Sequence, residues 1–351
     1  MRILLVRLRQ IGDVVFTTPA IRALRQHFPQ AHLTYVVEPA AAPVVAGNAH
    51  LDEVIVAPRA AGLRGLLHDF ALGRRLRNDR YDVAIDFHGG PRASLLTWLS
   101  GAPTRIGYQV IGRSWMYTQQ VGRPRRLRPR HSVENQWDLL RPLNISPADR
   151  ALLPVEMCIK EPAARNVAER LARAGVEPSE AIVVVHVSAG NPFRRWPAGH
   201  FVQLVASLVR SGGLRVIVTS GPSEHDAADR VIAQARGVLG EAGLSVLSCG
   251  EFSLAELRAL VERAALFIGG DSGPLHIAAT SRVPIVGLYG PTLPARSAPW
   301  RDPRWTTVSV DGGQLPCRPC DQRTCAPGDF RCLSSIRPDQ VFDAALRALN
   351  R

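Results

Sequence analysis

Ala181-Ile182-Val183-Val184-Val185-His186-Val187-Ser188-Ala189-Gly190-Asn191-Pro192-Phe193-Arg194-Arg195-Trp196-Pro197 is the stretch that decides how this chain is built. An apolar run of strand length passes into small turn residues, then two arginines, then a proline that opens a helical pattern. Such a run bounded by turn signals reads as a strand buried on both faces, as in a parallel sheet. Downstream, helices are predicted over 198–210, 224–235, 254–263 and 274–280, alternating with strands at 214–219, 244–247, 266–269 and 285–289. A last helix covers 338–349.

Upstream, a helix is predicted over 162–174, and before it the alternation stops. Residues 145–154 are flanked by prolines, 132–143 are helical, and 101–129 are rich in Gly, Pro and Arg with little periodicity. The alternation is present again from the start of the chain. Strands at 3–7, 33–37, 53–56 and 83–87 are interleaved with helices over 14–27 and 63–77, and the last strand ends at His88-Gly89-Gly90. Two runs of β–α alternation predict an α/β protein of two Rossmann-like, doubly wound domains, 1–155 and 156–351. The length of 351 residues suits that division. Facing each other, two such domains would bring the carboxyl ends of both sheets to a shared cleft.

Composition bounds the function. Hydrophobic residues make up 46% and charged residues 21%, which is ordinary for a globular chain and excludes disorder. No apolar run reaches the roughly 18 residues of a membrane span. Arg2, Arg7 and Arg9 interrupt the opening where a signal peptide would be unbroken, so a cytoplasmic location is expected. The net charge is +13, almost all of it arginine, since Lys160 is the only lysine. That excess favours an anionic partner: nucleic acid, a phosphorylated glycolipid or a membrane surface. Arg113, Arg123, Arg125, Arg126, Arg128 and Arg130 crowd one aperiodic segment.

Four strand ends carry candidate chemistry. The first strand ends in Arg7-Leu8-Arg9-Gln10-Ile11-Gly12-Asp13, with a helix expected to begin at or near Asp13. Asp13 there is either a helix cap or a carboxylate that takes a proton from an attacking hydroxyl. Arg194 and Arg195 suit a diphosphate, and Trp196 suits packing of the next helix start. Gly270-Asp271-Ser272-Gly273-Pro274-Leu275-His276 opens a helix with free N–H groups, another place for phosphate. Ser220-Gly221-Pro222-Ser223-Glu224 ends on a carboxylate fit for ribose hydroxyls or for a cap. No Asp-x-Asp pair occurs, so a carboxylate clamp for a donor-bound metal is missing and a metal-independent reaction is expected. Cys317, Cys320, Cys325 and Cys332 cluster at spacings compatible with a structural four-thiolate zinc site or with free thiols. Cys158 and Cys249 stand alone and are expected in the core.

These blocks together resemble glycosyltransferase family 9, the lipopolysaccharide heptosyltransferases. The resemblance rests on residues 2–13 with Thr17-Thr18-Pro19-Ala20-Ile21, on 186–190 with Arg194-Arg195-Trp196-Pro197, and on 270–279. Ser220-Gly221-Pro222 and Leu288-Tyr289-Gly290-Pro291-Thr292 fit as well, so it spans the chain. It implies a GT-B fold and an inverting transfer of heptose from ADP-L-glycero-D-manno-heptose to the inner core of lipopolysaccharide. It also implies Asp13 as general base, with no catalytic cofactor. Arg194 or Arg195 stands where the family commonly has a lysine for the diphosphate. Asp271, Ser272, Gly273 and His276 would lie around that group, with Glu224 and Gly221 at the ribose and Phe252 against adenine. The acceptor would sit in the inner leaflet of the membrane, where Arg113, Arg123, Arg125, Arg126 and Arg128 meet its anionic surface. Two other readings compete: a transferase or epimerase using a UDP or dTDP sugar, and a basic nucleic-acid binder. The second lacks aromatic interleaving in its basic stretch, so nucleic acid is not expected as a partner.

Overall fold

The computed structural model describes residues 1–60, 62–123, 129–211, 214–221, 224–320 and 324–350. The chain divides into two compact units, Met1–Cys158 and Ile159–Arg351. In the first, β1 (Arg2–Val6), β2 (His32–Val37), β3 (Glu53–Val56), β4 (Val83–Asp86), β5 (Thr104–Tyr108) and β6 (Gln119–Val121) form one sheet in the order β3-β2-β1-β4-β5-β6. In the second, β7 (Ile182–His186), β8 (Arg215–Thr219), β9 (Val246–Leu247), β10 (Leu266–Gly270), β11 (Ile285–Tyr289) and β12 (Thr307–Asp311) repeat that order as β9-β8-β7-β10-β11-β12. Every pairing is parallel.

The helices of the first unit are α1 (Ile11–Val15), α2 (Thr18–His27), α3 (Ala42–Val45), α4 (Gly62–Asn78), α5 (Pro91–Leu99) and α6 (Ser132–Trp137). Those of the second are α7 (Glu161–Arg173), α8 (Ala198–Arg210), α9 (His225–Leu239), α10 (Leu254–Arg263), α11 (Gly273–Ala278), α12 (Pro294–Ser297), α13 (Arg331–Ser334) and α14 (Pro338–Ala348). The central strands are buried on both faces: Ile3–Val6 of β1 and Ile182–Val185 of β7 have no exposed surface. Their near-continuous aliphatic sequence is what a strand covered on both sides requires. In each sheet the strand order reverses beside the first strand, between β1 and β4 and between β7 and β10. The loops leaving those four strands open the crevice in which doubly wound sheets hold ligands.

Several expectations are corrected. The helix over 14–27 is two helices, broken where the Thr17 and Thr18 hydroxyls donate back to the carbonyls of Val14 and Val15. Helix 132–143 is α-helical only to Trp137 and then tightens into a 3₁₀ segment, Asp138–Leu143, that contains Pro142. The aperiodic stretch 101–129 holds two strands, β5 and β6. Gly107 lies so close to the Tyr117 ring that a Cβ would meet it at 2.3 Å. Strands of three to five residues leave too little sequence for a period of two to show. Cys158 is exposed and Cys249 half-buried, so neither is a core residue. Among the described residues, no helix is long and apolar enough to cross a membrane.

Candidate functional site

In the first unit the loops after β1 and β4 meet. Gln10, not Asp13, occupies the N-cap of α1, which starts at Ile11 and places Asp13 in its first turn. The Asp13 carboxylate pairs instead with the Arg7 guanidinium. Arg7 also donates to the Phe87 carbonyl. Its side chain is largely buried, whereas that of Asp13 keeps 37% of its surface open. Arg7 thus ties Asp13 to the end of β4 and leaves part of the carboxylate facing solvent.

The turn after β4 is fixed by Asp86, which is fully buried. It accepts from the Tyr117 hydroxyl at 2.6 Å, from the Ser94 hydroxyl at 3.3 Å, and from the His88 and Gly89 N–H groups at 2.8 Å each. Burial pushes its carboxyl above the usual range despite those donors. His88 sits beside this knot. Burial, reinforced by Arg7, pushes its imidazole down to about 4, so the ring is neutral at pH 7. Its Nδ1 is buried without a partner among the described residues. Arg113 reaches the same turn, donating to the Gly89 carbonyl at 3.3 Å. Arg123 is exposed. Arg130 belongs to a structural pair, bonded to Asp138 at 2.6 Å. Arg125, Arg126 and Arg128 lie outside the described residues.

In the second unit the loops after β7, β8 and β10 converge. His186, 2% exposed, bonds Thr219 Oγ1 through Nδ1 at 3.0 Å and Ser188 Oγ through Nε2 at 3.1 Å. Ser188 Oγ in turn accepts from the Gly221 N–H at 2.7 Å. Burial holds the His186 pKa down to about 4, and the neutral ring locks the β7 and β8 loops together. Glu224 stands at the N-cap position of α9, yet its side chain caps nothing. Its carboxylate pairs with Arg195, whose Nε donates to the Ala189 carbonyl at 2.9 Å. Gly221 lies between Ser188 and Glu224, with a Cβ direction 3.6 Å from each side chain.

Arg194 lies against Asp271, 3.4 Å from its carboxylate and donating to its carbonyl at 3.1 Å. Gly270 lets the loop pass close by, since a Cβ would stand 3.1 Å from the Arg194 carbonyl and push that loop back. Asp271 is 2% exposed and also holds the Thr292 hydroxyl and, at 3.3 Å, His276 Nε2. Burial opposes its ionisation, but His276, Arg194 and Thr292 together hold the pKa down to about 2. Ser272 takes the N-cap position of α11, and its hydroxyl turns back to the Gly270 carbonyl at 3.2 Å. Phe252 is buried with the Arg170 guanidinium 3.9 Å above its ring, so one ring face is already covered. Trp196 is buried, and its indole N–H donates to the Ile336 carbonyl at 2.9 Å.

Cys317, Cys320, Cys325 and Cys332 are half-buried free thiols. Burial pushes the Cys332 thiol up, and the other three lie close enough to raise it further. Among the described residues, no group of three or more His, Cys, Asp or Glu side chains is disposed to hold a metal ion. Residues 321–323, inside this segment, lie outside the described set. The sequence pointed to Asp13, Arg194, Arg195, Glu224 and Asp271 but passed over Arg7, Asp86, His88, Tyr117 and Thr292. For Asp86 and His88 a signal existed, because both end a strand beside the first one, where the order reverses.

Residues 70–329 match the family model for glycosyltransferase family 9 (heptosyltransferase). Lipopolysaccharide heptosyltransferase 3 of Escherichia coli is 27% identical over 316 residues, covering 89% of this chain and 89% of that protein. Among solved structures, the family 9 glycosyl transferase from Veillonella parvula DSM 2008 is similar with a TM-score of 0.84 at 24% identity, covering 99% of this chain and 97% of that one. The E. coli heptosyltransferase WaaC with ADP-2-deoxy-2-fluoro heptose has a TM-score of 0.69 at 21% identity, covering 98% of each chain. The two parallel six-stranded units together are a GT-B fold.

Proposed function

We propose, from the premise that this chain belongs to glycosyltransferase family 9 and is a glycosyltransferase, that it moves heptose from ADP-L-glycero-D-manno-heptose to the inner core of lipopolysaccharide. The observation that carries this is the pairing of Arg194 with Asp271, where the order of the second sheet reverses, and of Arg195 with Glu224 beside it at the end of β8. Two guanidinium groups held by carboxylates are preoriented, and each has further donors to offer a diphosphate. The N–H groups of Ser272 and Gly273 at the start of α11 add to that charge, with His276 beside Asp271. Glu224 and Gly221 serve the ribose, and Phe252 lines the adenine side with the part of its ring that Arg170 leaves free. The relative bound to a fluorinated ADP-heptose supports the choice of donor.

In the proposed reaction an acceptor hydroxyl attacks the anomeric carbon as the bond to the diphosphate oxygen breaks. The hydroxyl proton passes to the Asp13 carboxylate, and the electron pair of the breaking bond leaves with ADP. One displacement inverts the anomeric configuration. Arg7 holds Asp13 in place, and His88, neutral beside it, offers a polar group to the acceptor without adding charge. The developing charge on ADP meets Arg194 and Arg195, so no divalent ion is needed. The cysteine segment Cys317–Cys332 is structural in this scheme, either as a zinc site or as thiols, and takes no part in the transfer. Arg113 and Arg123 serve the anionic acceptor and the inner surface of the cytoplasmic membrane, where the protein works peripherally; Arg125, Arg126 and Arg128, outside the described residues, are assigned the same role.

Mass analysis of products formed with truncated core acceptors tests the reading. ADP-heptose should add one heptose, in excess EDTA as well, while UDP- and dTDP-sugars should add nothing. Turnover with a UDP or dTDP sugar alone would replace the donor assignment. Activity lost in EDTA and restored by magnesium would overturn metal independence. Slow loss without magnesium rescue would point to a metal in the cysteine segment.

A further inference from the structure

The sequence of α4, Gly62-Leu63-Arg64-Gly65-Leu66-Leu67-His68-Asp69-Phe70-Ala71-Leu72-Gly73-Arg74-Arg75-Leu76-Arg77-Asn78, serves two surfaces. Gly65 and Leu76 mark its inner face, and Gly73, between that face and Leu66, is buried as well. Gly73 lets the helix approach α5 closely, since a Cβ would stand 2.6 Å from the Leu99 side chain. On the other side Leu63 is 73% exposed, Leu66 51%, Leu67 60% and Phe70 52%. Spacings of three, four and seven put these four on one stripe. The core already has its share of this helix, so burial within the unit does not explain the outward stripe. Four large apolar side chains contiguous on a surface mark a place where something docks.

The charge around the stripe says what that is. Continuing the same spacing along the helix, Leu67 and Phe70 are followed by Arg74 and Arg77. Arg59 and Arg64 stand at its other end. All four arginines are exposed, and among the described residues none is in an ion pair. The one acid of the helix, Asp69, is neutralised by Arg92 at 2.8 Å. The neighbouring α5 adds Trp98, 39% exposed, which meets the 61% exposed Trp115 edge to face at 5.5 Å. Leucine and phenylalanine flanked by unpaired arginines, with tryptophans nearby, are the composition of a helix lying in the headgroup layer of an anionic bilayer. The long arginine stems let the charge reach phosphates while the apolar stripe sits deeper.

We propose that the outward stripe of α4, Leu63, Leu66, Leu67 and Phe70, is a bilayer-surface anchor that holds this enzyme on anionic membrane. The inference builds on the peripheral placement proposed above and assigns the apolar part of the contact to a helix that placement did not include. Sedimentation with phosphatidylglycerol-containing and with pure phosphatidylcholine vesicles tests it, on the full chain and on a Leu66→Ser/Leu67→Ser/Phe70→Ser variant checked for folding by circular dichroism. The wild type should partition onto the anionic vesicles and the variant at least tenfold less. In a separate Phe70→Trp variant, emission should shift to the blue on anionic vesicles only. Undiminished partitioning of the folded triple variant overturns the anchor. If an Arg113→Gln/Arg123→Gln variant alone loses binding, the arginine placement survives and the stripe does not. A wild-type dimer by light scattering that the triple variant turns monomeric would give the stripe to a second copy of the chain and also overturn the proposal.

Discussion

Asp86 and Asp271 occupy equivalent places in the two units, one at the end of β4 and the other just past the end of β10, and both are buried. Their chemistry diverges. Asp86 is surrounded by neutral donors, the Tyr117 and Ser94 hydroxyls and two backbone N–H groups, and burial wins, raising its pKa. Asp271 is buried as deeply but has Arg194 and His276 beside it, and its pKa falls to about 2. With burial alike in the two, the hydrogen bond from His276 and the charge of Arg194 outweigh it at Asp271, whereas the donors around Asp86 do not. Each outcome suits its unit. The first uses its buried acid to pin a turn next to Asp13, and the second uses its buried anion to aim a guanidinium. On the proposal above, one sheet design serves a proton acceptor in the first unit and a diphosphate holder in the second.

The largest expected effect tests the first half of that division. Asp13→Asn removes the proposed proton acceptor and keeps the shape, so kcat should fall by about 10²–10⁴-fold, the usual range for loss of a general base. Steady-state turnover at saturating donor reads this. A kcat within a few-fold of wild type would reduce Asp13 to the partner of Arg7.

Next comes the second unit as seen by pH. His186, depressed from 6.5 to about 4 by burial, refuses a proton that the unfolded chain accepts. Its contribution to stability is whole above about pH 6.5 and shrinks as pH falls toward 4, by on the order of 3 kcal/mol at about 1.4 kcal/mol per unit. Asp271, lowered from 3.8 to about 2, gives stability that is present above 3.8 and lost as pH falls through 2. His186→Gln should flatten the fall in melting temperature between pH 7 and 5. An unchanged slope in that variant would place the titrating group elsewhere. A smaller effect is expected from Tyr117→Phe, which deletes one donor to Asp86 and should cost about 1–2 kcal/mol of unfolding free energy in urea. A loss below experimental error would mean that the Asp86 knot does not depend on that hydroxyl.

Much of this was readable before any coordinates. The apolar strands β1, β7, β10 and β11 stand out because burial on both faces demands unbroken aliphatic runs, and the alternation around them fixes the fold class. Arg194, Arg195, Asp271 and Glu224 were legible because charged side chains sit where such strands end. The pairings were not, since Arg195 with Glu224 and Arg7 with Asp13 depend on which loops the sheet order brings side by side. Strands β5, β6 and β12 escaped notice because Thr104, Arg105, Gln119, Gln120, Ser309 and Asp311 break the aliphatic run that marks the others. The stripe on α4 was seen as helical periodicity, but nothing in the sequence says that its apolar face points away from the core. That follows only from the burial of Gly65 and Leu76 on the opposite side.

Calorimetric titration of ADP-heptose into Asp13→Asn and Arg195→Gln tests the division of labour most directly. The account predicts a dissociation constant within about twofold of wild type for Asp13→Asn and at least about tenfold weaker for Arg195→Gln, the range for losing a charge-assisted bond. Donor affinity that collapses in Asp13→Asn while Arg195→Gln binds normally would contradict it.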